Sequence, residues 1–370
     1  MSKINSAESI RGLACLVVVF SHLALTFTPS LHNFYSLDLE PTSLTYWIYH
    51  SPFGFFYSGT ASVFVFFVLS GYVLSHAILK ETNIDQKIKR MALKRYPRLA
   101  IPALVSCFVA WLLFKLNIDS SSTSEWFQRY GNINEPLYLI IHDGLFNSFI
   151  LGESTYNWVL WTMQIELFGS LILFTLLYFF KINRTFFHFL AIFLPLFFLI
   201  NTSQKFSLGI YSFVIGMYIY LYGKKITIAP AISLLILGLY LAGVHTTSNS
   251  YKFFYSILDS HTYILLCFVS GSLIVYSILM CDSVSKKLDK TFLIFLGRIS
   301  FSVYLLHMIL IYVIGVPIFN ILNKFDHDIS VLISCVSTLV ATIVFSIPYS
   351  NYVDKLSINL ANKIEEKYKS

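Results

Sequence analysis

The sequence predicts an all-α, polytopic integral membrane protein with about ten transmembrane helices and both termini in the cytoplasm. Three observations carry that prediction. The 370 residues are 56% hydrophobic and only 12% charged, about half the charged share of a soluble domain, so the chain lacks the polar surface to face water on all sides. Its apolar runs are continuous and reach the roughly 20 residues that cross a bilayer, whereas an outer-membrane barrel would show alternating segments of about ten. Finally, 21 of the 26 Lys and Arg fall in alternate connecting segments, and only Lys115, Arg129, Lys205, Lys252 and Lys324 fall in the others. Basic loops stay in the cytoplasm, so the net charge of +7 marks topology and bilayer contact and does not point to nucleic acid.

The spans are expected at roughly 8–28, 54–79, 97–116, 160–180, 185–200, 204–222, 228–243, 261–281, 299–322 and 329–349. The first is read as retained, because no small-x-small cleavage site follows it. Residues 1–350 form one transmembrane domain and 351–370 a short charged cytoplasmic tail. Three hydrophilic segments stand out. Residues 29–53 carry no Lys or Arg and lie outside, while 80–98 are strongly basic and lie inside. Residues 117–159 lie outside, with the solvated "DSSSTSE" followed by "LYLIIHDGLFNSFIL". That last piece is expected as an interfacial helix or a re-entrant segment, with His142 and Asp143 in a solvated or capping role. The five cysteines fall within or at the ends of spans without metal-like spacing, so they read as packing residues and no metal is expected.

Polar residues inside the spans carry the chemistry. "SIRGLACLVVVFSHLALTF" places Arg11 and His22 eleven positions apart, on nearly one helix face and roughly 16 Å apart along its axis. Arg11 then sits at the cytosolic mouth and His22 in the outer half. The stripe suits a long ligand with an anionic end at Arg11 and a reactive end at His22, since intramembrane histidines are functional candidates by default. In "NWVLWTMQIELFGS", Glu166 shares His22's depth and is placed to orient its ring. Trp161 and Gln164 precede it as pocket candidates. "LGRISFSVYLLHMIL" adds Tyr304 and His307, either on the ligand's path or bonded to a neighbouring helix. "KRYPR" puts Arg95 and Arg98 at the membrane surface, where guanidiniums grip phosphate bidentately. With Arg11 and Arg298 at the same level, a phosphate-rich cytosolic ligand is expected. Ser70-Gly71 ends the polar series, with Gly71 read as a close helix approach or a local break.

"IRGLACLVVVFSH", "FVFFVLSGYVLS", "KRYPRLAIP", "LWTMQIELF" and "LGRISFSVYLLH" occur in this order along the chain. Together they resemble the membrane-bound acyltransferase-3 family, transmembrane O-acyltransferases that modify bacterial surface polysaccharides and related acceptors. The resemblance implies His22 as catalytic base, Arg11 as its essential partner, Arg95 and Arg98 as a cytosolic Arg-x-x-Arg pair and Glu166 as the carboxylate after the Trp-rich entry to the fourth span. It implies acyl-CoA, commonly acetyl-CoA, as co-substrate, held by Arg11, Arg95, Arg98 and Arg298, and a location in the bacterial cytoplasmic (inner) membrane. The chain departs from the family where Phe64 replaces an aspartate and where Asp354 stands in for a late Glu-x-Pro. No esterase domain is appended, so delivery to the acceptor is expected from this chain itself or through a separate protein. The acceptor hydroxyl, whether on O-antigen, capsule, exopolysaccharide, an antibiotic or a lipid-linked intermediate, and the oligomeric state stay open. A proton-coupled secondary transporter is the competing class, because intramembrane His and Glu also serve proton relays. Against it, no paired discontinuous helices are visible. A non-catalytic scaffold is the third reading.

Overall fold

The computed structural model describes residues 4–33, 39–131 and 136–367. Parts of both outer segments (34–38 and 132–135) and the end of the tail (368–370) lie outside the described residues. Among those described there is no strand. Ten principal helices occupy the ten expected spans: α1 (Asn5–Phe27), α2 (Gly59–Leu79), α3 (Ile84–Phe114), α4 (Thr162–Ile182), α5 (Arg184–Asn201), α6 (Gln204–Tyr222), α7 (Ile228–Ala242), α8 (Thr262–Leu279), α9 (Thr291–Leu310) and α10 (His327–Tyr349). A shorter α11 (Lys355–Lys367) follows. Among the described residues, eight helical stretches are long and apolar enough to cross a membrane; α6 is not among them, and α7 is a shorter apolar helix of 15 residues.

Side-chain distribution explains why these helices belong in lipid. On α10, Ser330, Ser334, Thr338, Thr342 and Ser346 recur every fourth residue and are all fully buried, while Leu332, Val336, Val340 and Val344 are exposed. On α5, Phe189, Phe193, Phe197 and Ile200 face outward. A water-soluble helix has the reverse pattern. Facing lipid outside, a helix gains by turning small and hydroxyl-bearing residues inward, where backbones approach closely.

Two helix crossings set the frame. A Cβ on Gly297 would lie 2.0 Å from the Glu8 carbonyl oxygen, and one on Gly12 would lie 2.7 Å from the Gly297 nitrogen, so α1 and α9 touch backbone to backbone. Gly71 and Gly216 do the same for α2 and α6, against the Phe213 and Val68 carbonyls. The sequence left Gly71 as close approach or break; it is a close approach within a continuous helix.

Polar contacts sort by side as the charge bias requires. Lys181 pairs with Asp85 at 2.6 Å, Lys225 with Asp282 at 2.6 Å, and Asn5 donates to Asp289 at 3.0 Å. All of these join segments read as cytoplasmic. Tyr49 with Thr247 and His261 with Gln204 join segments read as outer.

Three expectations change. The basic stretch 80–98 is helical from Ile84, where the Asn83 side chain accepts from the Gln86 amide, and α3 continues through Pro97 and Pro102. The ninth span begins at Thr291 rather than 299, because the apolar run "FLIFLG" extends the helix beneath Arg298. The tail is no loose segment: α11 lies along α3, with Glu365 paired to Arg90 and Lys94.

Candidate functional site

The outer end of α1 carries His22, and three neighbouring segments close around it. Ser124 caps the short helix Glu125–Gln128 and donates its amide to the Thr26 carbonyl at the end of α1. That contact lays the Trp126 indole parallel to the His22 ring, with centroids 5.7 Å apart. From α9, His307 meets His22 edge to edge, with ring planes 17° apart and centroids 5.0 Å apart, and its Nε2 lies 2.8 Å from His22 Nδ1. The third wall comes from the loop before α4. There Asp143, buried at a π-helical turn, accepts from the amides of Thr155 and Tyr156 and from Ser154 and Asn147. Asn157, also buried, donates to Ser106 Oγ and the Leu305 carbonyl. This knot fixes Trp158, which meets Trp126 edge-on at 5.3 Å.

His22, Trp126, Trp158, Val159, Trp161 and Met308 line a cavity of about 210 Å³. That is smaller than the ~300–1,000 Å³ of a pocket for a drug-sized ligand, so it is too small to enclose a large ligand whole. Trp161 carries Lys205 over its ring at 4.6 Å. Tyr304 supports the floor, donating to the Val159 carbonyl at 2.8 Å and lying 3.0 Å from Thr162 Oγ1. Gln164 turns away, donating to the Ile150 carbonyl.

The expected His22–Glu166 contact is not formed. Glu166 instead forms an ion pair with Arg95 and accepts from Ser70 Oγ at 3.0 Å, while Arg95 Nε donates to Ser170 Oγ at 3.1 Å. Both partners are mostly buried, with side chains 14% exposed. Depth along two helices was the only basis for joining Glu166 to His22, and the rotation of α4 turns the carboxylate toward α3. Ser70 lies at the middle of α2, and Arg95 lies eleven residues into α3, so this pair sits inside the bundle and not at its surface. Arg98 is exposed, as is Arg298, and neither forms an ion pair among the described residues. Arg11 pairs with Glu8 at 3.2 Å. Arg11 and Arg98 both act electrostatically on Arg95, so three of the four expected guanidiniums share one region.

On the outer side of α1, a second cluster lies outside the spans. His32 Nε2 is 3.2 Å from the Ser21 carbonyl, and His245 stacks on Tyr49 and Tyr57. Burial holds His32 at a pKa of about 4 and His245 at about 3.

The residues missed from sequence are Trp126 and Trp158; of the two readings of His307, the bond to a neighbouring helix is formed, and its partner is His22. The signal for the tryptophans was available: an outer segment otherwise polar carries Trp126 just after a serine cap.

The profile of a family described as an acyltransferase domain matches residues 4–350. The chain belongs to the acyltransferase-3 family. No curated protein and no solved structure matches it. This acyltransferase domain is thus a multi-pass membrane protein, and the matched residues end before α11.

Proposed function

We propose that this membrane acyltransferase moves an acyl group, most simply acetyl, from acyl-CoA at the cytoplasmic side of a bacterial inner membrane to a hydroxyl of a cell-surface polysaccharide or related glycan, with His22 as general base. The observation that carries this reading is the His22 ring in the wall of a tryptophan-lined cavity in the outer half of the bundle. Flat indole faces with one edge donor suit a ring that is apolar on its faces and hydroxyl-bearing at its rim.

Arg98 and Arg298, exposed and without ion pairs among the described residues, with Arg11 acting electrostatically on Arg95, supply cations that fit the phosphates of the coenzyme. Acyl-CoA brings an activated thioester carbonyl. His22 takes the acceptor hydroxyl proton as the new C–O bond forms, and the tryptophans exclude bulk water that would compete as acceptor. Arg95, with its charge matched by Glu166, holds α3 to α4.

The test is radiolabelled acetyl-CoA and a glycan acceptor with purified protein in nanodiscs. His22→Ala should lower turnover about 10²–10⁴-fold, the range of a positioned general base, while the protein still folds and melts cooperatively. Full turnover in that variant removes His22 as the base. Uptake of a solute without acylated product points to a carrier.

A further inference from the structure

His307 is fully buried, and nothing so far gives its imidazole a role. Its two ring nitrogens have different partners. Nδ1 lies 3.1 Å from the Val303 carbonyl of its own helix, and Nε2 lies 2.8 Å from His22 Nδ1. A carbonyl oxygen only accepts, so His307 Nδ1 carries the hydrogen. His307 has no carboxylate partner among the described residues, and a buried unpaired charge there is too costly, so the ring is neutral and Nε2 holds a lone pair. His22 Nδ1 must then donate to it. The remaining nitrogen, His22 Nε2, is left without a hydrogen, and His22 is the residue of the pair that lines the cavity.

We propose that His307 is a positioning residue that locks His22 in the tautomer with hydrogen on Nδ1, so that Nε2 is permanently the proton acceptor. This rests on the acyl-transfer reading above. The relay ends at the Val303 carbonyl, which cannot pass a proton on. A proton taken by Nε2 therefore leaves from the same atom. In the balanced reaction, His22 Nε2 removes the acceptor hydroxyl proton, the oxygen–carbonyl bond forms, the carbon–sulfur bond breaks, and Nε2 returns the proton to the departing thiolate. One nitrogen serves as base and then as acid. The parallel Trp126 indole and the nearly coplanar bond to His307 hold the ring plane while this happens.

The tautomer is read directly by ¹⁵N NMR of histidine-labelled full-length protein in nanodiscs near pH 7.5, with His22 assigned by loss of its signals in His22→Gln. The expected result is a pyrrole-type Nδ1 and a pyridine-type Nε2 for His22. The reverse pattern, or a rapid mixture, overturns the proposal. His307→Phe keeps the ring volume but removes the acceptor; the His22 signals should then become a tautomer mixture and kcat should fall by about 10²-fold, the lower end of what a positioned base contributes, with KM for acyl-CoA little changed. His307→Gln, whose amide oxygen reaches the place of Nε2, should restore the tautomer and most of kcat. Equal losses in Phe and Gln variants that both melt normally would show a packing role only and overturn the assignment. Should the Phe variant not fold, the wild-type tautomer alone decides. The spectrum needs no substrate, so it separates this proposal from the acyl-transfer reading, which His22→Ala turnover tests.

Discussion

Arg95 and Glu166 show how a residue's role depends on its partner. Each was expected to serve a ligand or a catalyst, and each meets the other inside the bundle, with Ser70 and Ser170 filling the remaining hydrogen-bond sites. Removing one member of such a pair leaves an uncompensated buried charge, which costs about 3–5 kcal/mol. Glu166→Ala should therefore lower the melting temperature in detergent markedly, and pairing it with Arg95→Met should recover much of the loss. If the single variant melts like the parent, the ion pair is not holding α3 to α4. The arginine, the carboxylate and the histidines were each legible as chemistry-bearing residues, because an ionisable group within an apolar run has no cheap bland explanation. Their pairing was not legible. A difference of one residue in helix register rotates a side chain by about 100°, and depth along the chain carries no information about that rotation. This is why His307, not Glu166, is the neighbour of His22.

At the level of elements, the outer loops are packed more firmly than a polar segment suggests. Asp143, expected as solvated or capping, is a buried cap for the amides of Thr155 and Tyr156, and that cap aims Trp158 at the cavity. Around Ser21, the loop after α1 and the loop after α7 meet through His32 and His245, with His245 stacked on Tyr49 and Tyr57. Burial lowers both histidines to about 4 and about 3, below the unfolded value near 6.5. Between those limits the unfolded chain binds more protons than the folded one, so stability rises with pH there. It is complete above roughly pH 6.5 and is lost progressively as pH falls toward 4. Melting curves from pH 7.5 to 4 should show this decline, and His245→Phe, which keeps an apolar ring against Tyr49 and Tyr57, should flatten it. A parent curve that does not change over the range would show that these rings titrate in contact with water.

Across the whole molecule, lipid and charge act together. Buried hydroxyls and exposed aliphatics on α10, and ion pairs that join only segments of one side, give one topology. Single cysteines report it, because four of the five native cysteines are buried and Cys335 is partly so. Lys252→Cys should react with a membrane-impermeant maleimide on intact cells, and Lys286→Cys only after permeabilisation. Labelling of both on intact cells would reverse or break the assigned orientation. The interior that this topology creates has two tiers: the Arg95–Glu166 pair at mid-bundle, and the His22 cavity nearer the outer face.

What the sequence determined unaided is whatever a one-dimensional pattern encodes: the helical class, the approximate positions of the ten helices and the family. Burial in lipid enforces those through composition and periodicity at each segment separately. The tertiary structure alone decided that His22 meets His307, that Trp126 and Trp158 wall its cavity, that Arg95 is matched by Glu166 and that the tail packs as a helix on α3. These depend on how helices rotate and cross, at contacts such as Gly12 against Gly297, and short-range packing between residues hundreds of positions apart leaves no trace in either segment read alone.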